Sequence, residues 1–122
     1  MDKSIVISGG SQGIGKALVN KFLQEGFQVF TCSRSQEKLN SLVQEANSPR
    51  LHTFAADLSD KTQVQAFAQW VFSQTKSIDI LVNNTGVFLP GQIQNEADGV
   101  LEKQIETNLY SAYHLTRAFL PS

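Results

Sequence analysis

The chain of 122 residues carries 10 basic and 11 acidic side chains, and 41% of its residues are hydrophobic. This is an ordinary globular composition, and a chain of this length builds one hydrophobic core rather than two. The balanced charge excludes the basic surface of a nucleic-acid binder, and the N-terminal apolar run Ile5–Ile7 is too short for a signal peptide or a membrane span. A single cysteine, Cys32, excludes an internal disulfide. We expect one domain over residues 1–122, a cytoplasmic location, and neither a nucleic acid nor a membrane as partner.

Short apolar runs alternate with helical periodicities along the chain, which is the pattern of a parallel sheet with crossover helices. The runs predict strands at 3–8, 27–32, 51–56 and 78–82, the last suited to a strand covered on both faces. Four helices are predicted from apolar positions at helical spacing: Ile14, Leu18, Phe22 and Leu23; Leu39, Leu42, Val43 and Ala46; Val64, Phe67, Ala68 and Val71; Leu101, Ile105, Leu109, Ala112, Thr116 and Phe119. The order predicts an α/β fold with a doubly wound parallel sheet, of which the chain supplies little more than one half.

A glycine-rich segment, Ser8-Gly9-Gly10-Ser11-Gln12-Gly13-Ile14-Gly15, joins the first predicted strand to the first helix. A helix N-terminus presents unpaired backbone N–H groups and the positive end of the helix dipole, and glycines let a phosphate reach them. The segment therefore predicts a phosphate site. The alternative is a tight strand-to-helix turn without a ligand.

A second nucleotide interpretation starts one residue later. Gly10 to Lys16 has the P-loop spacing G-x-x-x-x-G-K, in which Lys16 would contact the β- and γ-phosphates. A P-loop then needs a hydroxyl to hold magnesium, and the next residue is Ala17. The missing oxygen disfavours a nucleoside triphosphatase.

The glycines also resemble a known family. Gly9, Gly13 and Gly15 have the spacing of the Thr-Gly-x-x-x-Gly-Ile-Gly turn of short-chain dehydrogenases/reductases, with Ser8 in place of threonine. The resemblance spans essentially the whole chain and implies a Rossmann-type sheet, truncated after the fourth strand and its following helix. It further implies hydride transfer between a nicotinamide and a small carbonyl or alcohol substrate. The cofactor-binding residues that it implies in this turn are Ser8, Gly9, Ser11, Gln12, Gly13, Ile14 and Gly15.

The end of the second predicted strand distinguishes NAD from NADP. An Asp or Glu there would hold the ribose 2′-hydroxyl of NAD and repel a 2′-phosphate, but this chain has Ser33 followed by Arg34. A guanidinium binds phosphate bidentately, so the pair predicts NADP(H) as the cofactor. Some NADP-preferring relatives carry a second basic residue in the glycine turn, where this chain has Gln12. The alternative for Arg34 is an exposed residue at a helix start.

Three further matches lie downstream. Asp57-Leu58 stands where family members contact adenine, although Asp57, Ser59 and Asp60 can equally cap the third helix. Asn83-Asn84-Thr85-Gly86 resembles the family's Asn-Asn-Ala-Gly signature, which implies that Asn84, Thr85 and Gly86 lie near the nicotinamide ribose. Asn108 matches the helix asparagine that positions the active-site lysine through water and is the candidate catalytic residue. The alternative for Asn108 is a core amide with satisfied hydrogen bonds.

The Tyr-x-x-x-Lys motif that supplies the proton in this family is absent, because Tyr110 and Tyr113 are followed four residues later by His114 and Arg117. We therefore expect the chain alone to be inactive and to be a fragment of a longer reductase, one that forms a homo-oligomer through the last helix. A nonenzymatic NADP(H)-binding or regulatory module and a structural partner subunit remain alternatives. His52, His114 and Cys32 lack partners at metal-ligand spacing, so no metal is expected.

Overall fold

The computed structural model describes residues 3–84 and 111–119, with side chains in the second range from His114 onward. Strands and helices alternate along the described chain, as predicted. The elements in chain order are β1 (Ser4–Ser8), α1 (Gly13–Gln24), β2 (Gln28–Ser33), α2 (Gln36–Ala46), β3 (Leu51–Ala55), α3 (Lys61–Gln74), β4 (Ile80–Val82) and α4 (Ser111–Phe119).

The strands form one parallel sheet in the order β3-β2-β1-β4. β1 lies in the middle, where Ile5 is in register with Val29 of β2 and with Ile80 of β4. This order, with helices on both faces, is one half of a Rossmann-type doubly wound sheet, and it confirms the predicted fold class. Because all strands run the same way, their carboxyl ends lie along one edge of the sheet.

The core has two parts, one on each face of the sheet. Side chains alternate along β1, so that Val6 packs with α3 and α4 while Ile5 and Ile7 pack with α1 and α2. β1 is fully buried as a result. A strand covered on both faces reads as a continuous apolar run, which is why its position could be predicted from sequence.

β4 differs from its prediction. The strand begins at Ile80 rather than Ile78, and its side chains are exposed or half-buried. Ile80 is 37% exposed. Leu81 and Val82 pack against opposite parts of the core but are only half-buried, so β4 has partial rather than full cover on its two faces.

The buried face of α1 is shifted from the predicted one. Gly15, Val19 and Leu23 are buried, whereas Ile14 is 75% exposed. The four-residue spacing of this face starts on a glycine, which an apolar pattern does not register. On α2, Val43 is likewise 44% exposed, so its predicted place on the buried face is wrong.

The final helix is described over Ser111–Phe119, where Leu115 and Phe119 are buried against α3. The predicted positions Leu101, Ile105 and Leu109 lie outside the described residues. Within residues 3–84 and 111–119, every helix is too short or too polar to cross a membrane.

Candidate functional site

The glycine turn between β1 and α1 has a conformation that side chains would prevent. Gly9 and Gly13 adopt positive φ angles of 68° and 63°. The Gly9 backbone N–H donates to the carbonyl oxygen of Cys32 at 3.0 Å, which fastens the turn to the end of β2. A Cβ atom built on Gly13 would meet no atom within 4 Å, so this position opens on empty space.

Two other glycines of this segment are required for packing. A Cβ on Gly10 would lie 2.8 Å from Cγ2 of Val19 and closer still to Oγ1 of Thr31, the oxygen that accepts the Gly10 N–H at 3.0 Å. A Cβ on Gly15 would lie 2.5 Å from Nδ2 of Asn84 and would overlap the carbonyl oxygen of Gly9. Gly15 therefore lets α1 pack closely on the turn, and its contact with a phosphate stays a prediction.

The N-terminus of α1 differs from those of the next two helices. Its N-cap residue, Gln12, makes no side-chain cap hydrogen bond, and its first turn contains no acidic residue. In contrast, Ser35 caps α2 and Asp60 caps α3 through their side-chain oxygens. The N–H groups at the start of α1 thus lack a side-chain acceptor, and an external anion can supply one.

A cavity of about 620 Å³ opens at the carboxyl edge of the sheet, within the size range of small-molecule and cofactor sites. Each of the four strands contributes to it through the residues at or after its end. Its lining residues are Gly9, Ser11, Gln12, Gly13, Cys32, Ser33, Arg34, Ser35, Lys38, Ala56, Asp57, Leu58 and Asn84. Of the predicted site residues, Ser8, Ile14 and Gly15 are described but do not line this cavity.

Hydroxyl groups surround the end of β2. Ser33 Oγ accepts from Ser11 Oγ at 3.1 Å and from the backbone N–H of Ser35 at 3.3 Å. Ser33 therefore links the glycine turn to the start of α2 without adding charge. The exposed side chain of Arg34 follows at the cavity wall.

Lys38 is a lining residue that the sequence interpretation missed. Its Nζ donates to Oε1 of Gln12 at 3.0 Å, which joins the first turn of α2 to the glycine turn. The available signal was its place as a basic residue in the first turn of a helix that begins just after Arg34. Lys16, the P-loop candidate, instead forms an ion pair with Glu45 of α2 at 2.5 Å and is not part of the cavity lining.

The turn after β3 is held by its own side chains. Asp57 Oδ1 accepts from the N–H of Ser59 at 3.0 Å and from its hydroxyl at 2.7 Å. Asp60, rather than Asp57, caps α3 by accepting the N–H of Thr62 at 2.9 Å. The capping interpretation of Asp57 is therefore wrong, whereas Asp57 and Leu58 do line the cavity, as an adenine contact requires.

Asn84 fixes the end of β4 to the glycine turn. Its backbone N–H donates to Ser8 Oγ at 2.8 Å, and its Nδ2 donates to the Gly9 carbonyl oxygen at 3.3 Å. Ser8 Oγ in turn donates to the carbonyl oxygen of Val82 at 3.4 Å. The hydroxyl of Ser8 is thus used for joining strands rather than for lining the cavity. Thr85, Gly86 and Asn108 lie outside the described residues.

Cys32 is a lining residue of the cavity, and its thiol is buried. Burial raises the pKa of Cys32 to about 12, although a hydrogen bond from the Gly9 backbone opposes this rise. The thiol therefore remains protonated at neutral pH and is a poor nucleophile. Across the described part of the chain, His, Cys, Asp and Glu side chains do not gather in groups of three that could hold a metal ion.

Comparison with known proteins shows which family has this sequence and fold. Residues 3–122 match the family model of short chain dehydrogenases. The chain belongs to this family. The uncharacterized oxidoreductase YvrD of Bacillus subtilis (strain 168) is 37% identical over 121 residues, which cover 98% of the chain and 46% of YvrD.

Solved structures of short-chain dehydrogenases share the fold over nearly the whole chain. An actinorhodin polyketide ketoreductase with NADPH superimposes with a TM-score of 0.92 at 26% identity, covering 98% of the chain and 46% of the ketoreductase. An alcohol dehydrogenase from Thermococcus sibiricus, complexed with 5-hydroxy-NADP, gives a TM-score of 0.93 at 25% identity, covering 100% of the chain and 53% of the dehydrogenase. The chain thus spans about half the length of the relatives that it matches.

Proposed function

We propose that the chain is the cofactor-binding part of an NADP(H)-dependent short-chain reductase or dehydrogenase. The observation that carries this proposal is the uncapped N-terminus of α1, which faces a cavity whose lining also includes Arg34. NADPH, when bound, supplies the hydride that reduces a carbonyl group. The residues of this chain bind and orient it.

The described residues fit a dinucleotide along the carboxyl edge of the sheet. Gly9 and Gly13 leave the N–H groups of α1 accessible to a pyrophosphate, since neither position carries a Cβ. At the other end, Asp57 and Leu58 line the space that would hold the adenine ring. Such a molecule would extend over the ends of β1, β2 and β3, as ligands of open α/β sheets do.

Selection of NADP(H) over NAD(H) follows from the end of β2. Ser33 offers a hydroxyl rather than a carboxylate, so a 2′-phosphate would meet no negative charge from this residue. Arg34 offers the planar donor groups that bind a phosphate bidentately. The ketoreductase and the dehydrogenase compared above were solved with NADPH and 5-hydroxy-NADP, which supports the same choice.

The substrate that we propose is a small carbonyl or alcohol compound, reduced or oxidised by a cytoplasmic enzyme that is a homo-oligomer when complete. Asn108 would take part in the proton relay. The 122 residues contain no Tyr-x-x-x-Lys sequence, so we propose that they bind the cofactor but do not turn over substrate on their own.

Replacement of Arg34 tests the cofactor assignment. Arg34→Ala removes a charged hydrogen-bond donor, and we expect NADPH to bind roughly ten- to hundredfold more weakly while NADH binding stays nearly unchanged. Titration of the purified chain, followed by nicotinamide fluorescence, measures both dissociation constants. Equal losses for the two cofactors would refute the role of Arg34. Failure of the wild-type chain to bind either cofactor would refute the proposed function.

A further inference from the structure

We infer that Lys38, held against the glycine turn by Gln12, is a second cation for the 2′-phosphate of NADP(H). This inference rests on the proposed function and adds a specificity-determining residue to it. In effect, α2 would supply the positive charge that the glycine turn lacks at Gln12.

The geometry places Lys38 in the same cavity as Arg34. Lys38 is in the first turn of α2, Arg34 precedes that helix by two residues, and both line the cavity. The ammonium group is exposed, and its 3.0 Å hydrogen bond to Gln12 Oε1 holds it beside the glycine turn. A lysine has a flexible stem with four carbons, so its ammonium can stay near Gln12 and turn toward a phosphate.

Lys38 and Lys16 differ in the partner of their ammonium groups. The ammonium of Lys16 is paired with the carboxylate of Glu45, so its charge is largely neutralised. Lys38 bonds to a neutral amide oxygen, and it forms no salt bridge within residues 3–84 and 111–119. Its ammonium group therefore has no carboxylate partner among the described residues and can pair with an anion in the cavity.

The cavity lining has the charge balance that a 2′-phosphate needs. Two cations, Arg34 and Lys38, stand against one carboxylate, Asp57, whose Oδ1 is already bonded to Ser59. A phosphate carries between one and two negative charges at neutral pH, and a bidentate guanidinium leaves at least one of its oxygens for a further donor. The ammonium of Lys38 can provide that donor.

The test compares Lys38→Gln with the wild-type chain for NADPH and NADH. We expect NADPH to bind about three- to fivefold more weakly, because one exposed cation is lost, and NADH to change by less than about twofold. Lys38→Arg keeps the charge and should retain NADPH affinity within about twofold. Lys76→Gln removes the same charge between α3 and β4, at the opposite edge of the sheet, and should change neither constant.

The NADPH-to-NADH affinity ratio decides the outcome, with far-UV circular dichroism of each variant confirming the fold. An unchanged ratio in Lys38→Gln, with NADPH still bound by the wild type, overturns the role of Lys38 and leaves the proposed function standing. Equal weakening of both cofactors also overturns it, since the lysine would then act on the shared pyrophosphate. A wild-type chain that binds neither cofactor refutes the proposed function and this inference together.

Discussion

Two strand-to-helix junctions at the same edge of the sheet differ in whether side chains accept hydrogen bonds from the N–H groups at the start of the helix. The third junction (residues 56–60), between β3 and α3, is closed by its own side chains. Asp60 accepts the N–H of Thr62, and Gln63 both donates to Asp60 and accepts the N–H of Asp57. The first junction (residues 9–12), between β1 and α1, makes no side-chain cap hydrogen bond at all.

The residue in the third helical position accounts for much of this difference. In α3 this position is Gln63, whose side chain reaches back over the junction to Asp57 and Asp60, in a variant of the capping box. In α1 it is Gly15, where even a Cβ would overlap the turn. The third junction thus contains its own anion, whereas the first keeps its N–H groups for an external one. The second junction (residues 34–35) combines a serine cap with the cation of Arg34.

Substitution of Gly15 should break the first junction with the largest effect. In Gly15→Ala the new Cβ overlaps the Gly9 carbonyl oxygen and Nδ2 of Asn84, so the turn must shift. We expect a loss of about 1–3 kcal/mol in the free energy of unfolding from this overpacking. A displaced turn misplaces the N–H groups that would bind the pyrophosphate, so NADPH and NADH should both bind roughly ten- to hundredfold more weakly, as expected for the loss of a charged hydrogen bond. Urea unfolding and fluorescence titration measure the two effects.

Gly26 provides the matched control for that experiment. It has a φ of 87° and empty space around its would-be Cβ, and it follows the far end of α1. Gly26→Ala should therefore cost about 1–2 kcal/mol of stability through backbone strain while leaving both dissociation constants unchanged. If Gly15→Ala bound both cofactors as tightly as Gly26→Ala does, the close packing at Gly15 would be irrelevant to the site.

A carboxylate at the end of β2 would place a negative charge beside the second junction, as Asp57 and Asp60 do at the third. In Ser33→Asp the new charge would repel a 2′-phosphate and would accept a hydrogen bond from a 2′-hydroxyl. We expect NADPH to bind about tenfold more weakly and NADH to bind equally or better, so that the preference falls or inverts. Ser33→Asn has nearly the same shape without the charge and should change NADPH binding by less than about threefold. A similar loss in both variants would point to shape rather than charge.

The positions of three of the four strands could be predicted well, because short apolar runs bounded by turn residues indicate strands. The runs at 3–8, 27–32 and 51–56 differ from the observed strands by at most one residue at each end. The prediction was less accurate for β4. The run Ile78 to Val82 includes Asp79, whose carboxylate accepts the N–H of Ser4, and the strand begins only after it, with exposed or half-buried side chains.

Residues of the candidate site could be predicted from sequence where only one structural role suits the residue type at that position. A glycine that must leave space, or a serine in place of a carboxylate, can be recognised from its position alone. Asp57 and Asp60 could not be told apart, because both can accept a backbone N–H and the geometry of the turn selects between them. Lys38 was missed because its contact joins residues 26 apart, and that contact depends on how α2 packs beside the glycine turn.

Removal of the cap on α3 should have the smallest effect and tests whether the third junction is self-contained. Asp60→Ala leaves the N–H of Thr62 without its acceptor, and we expect the free energy of unfolding to fall by about 1 kcal/mol. Asp60→Asn keeps a cap oxygen and should recover most of that loss. Asp60 does not line the cavity, so NADPH should bind both variants as it binds the wild type. A tenfold loss of NADPH affinity in Asp60→Ala alone would mean that the hydrogen bonds of the third junction hold Asp57 in place for the cofactor, and the two junctions would then serve a single site.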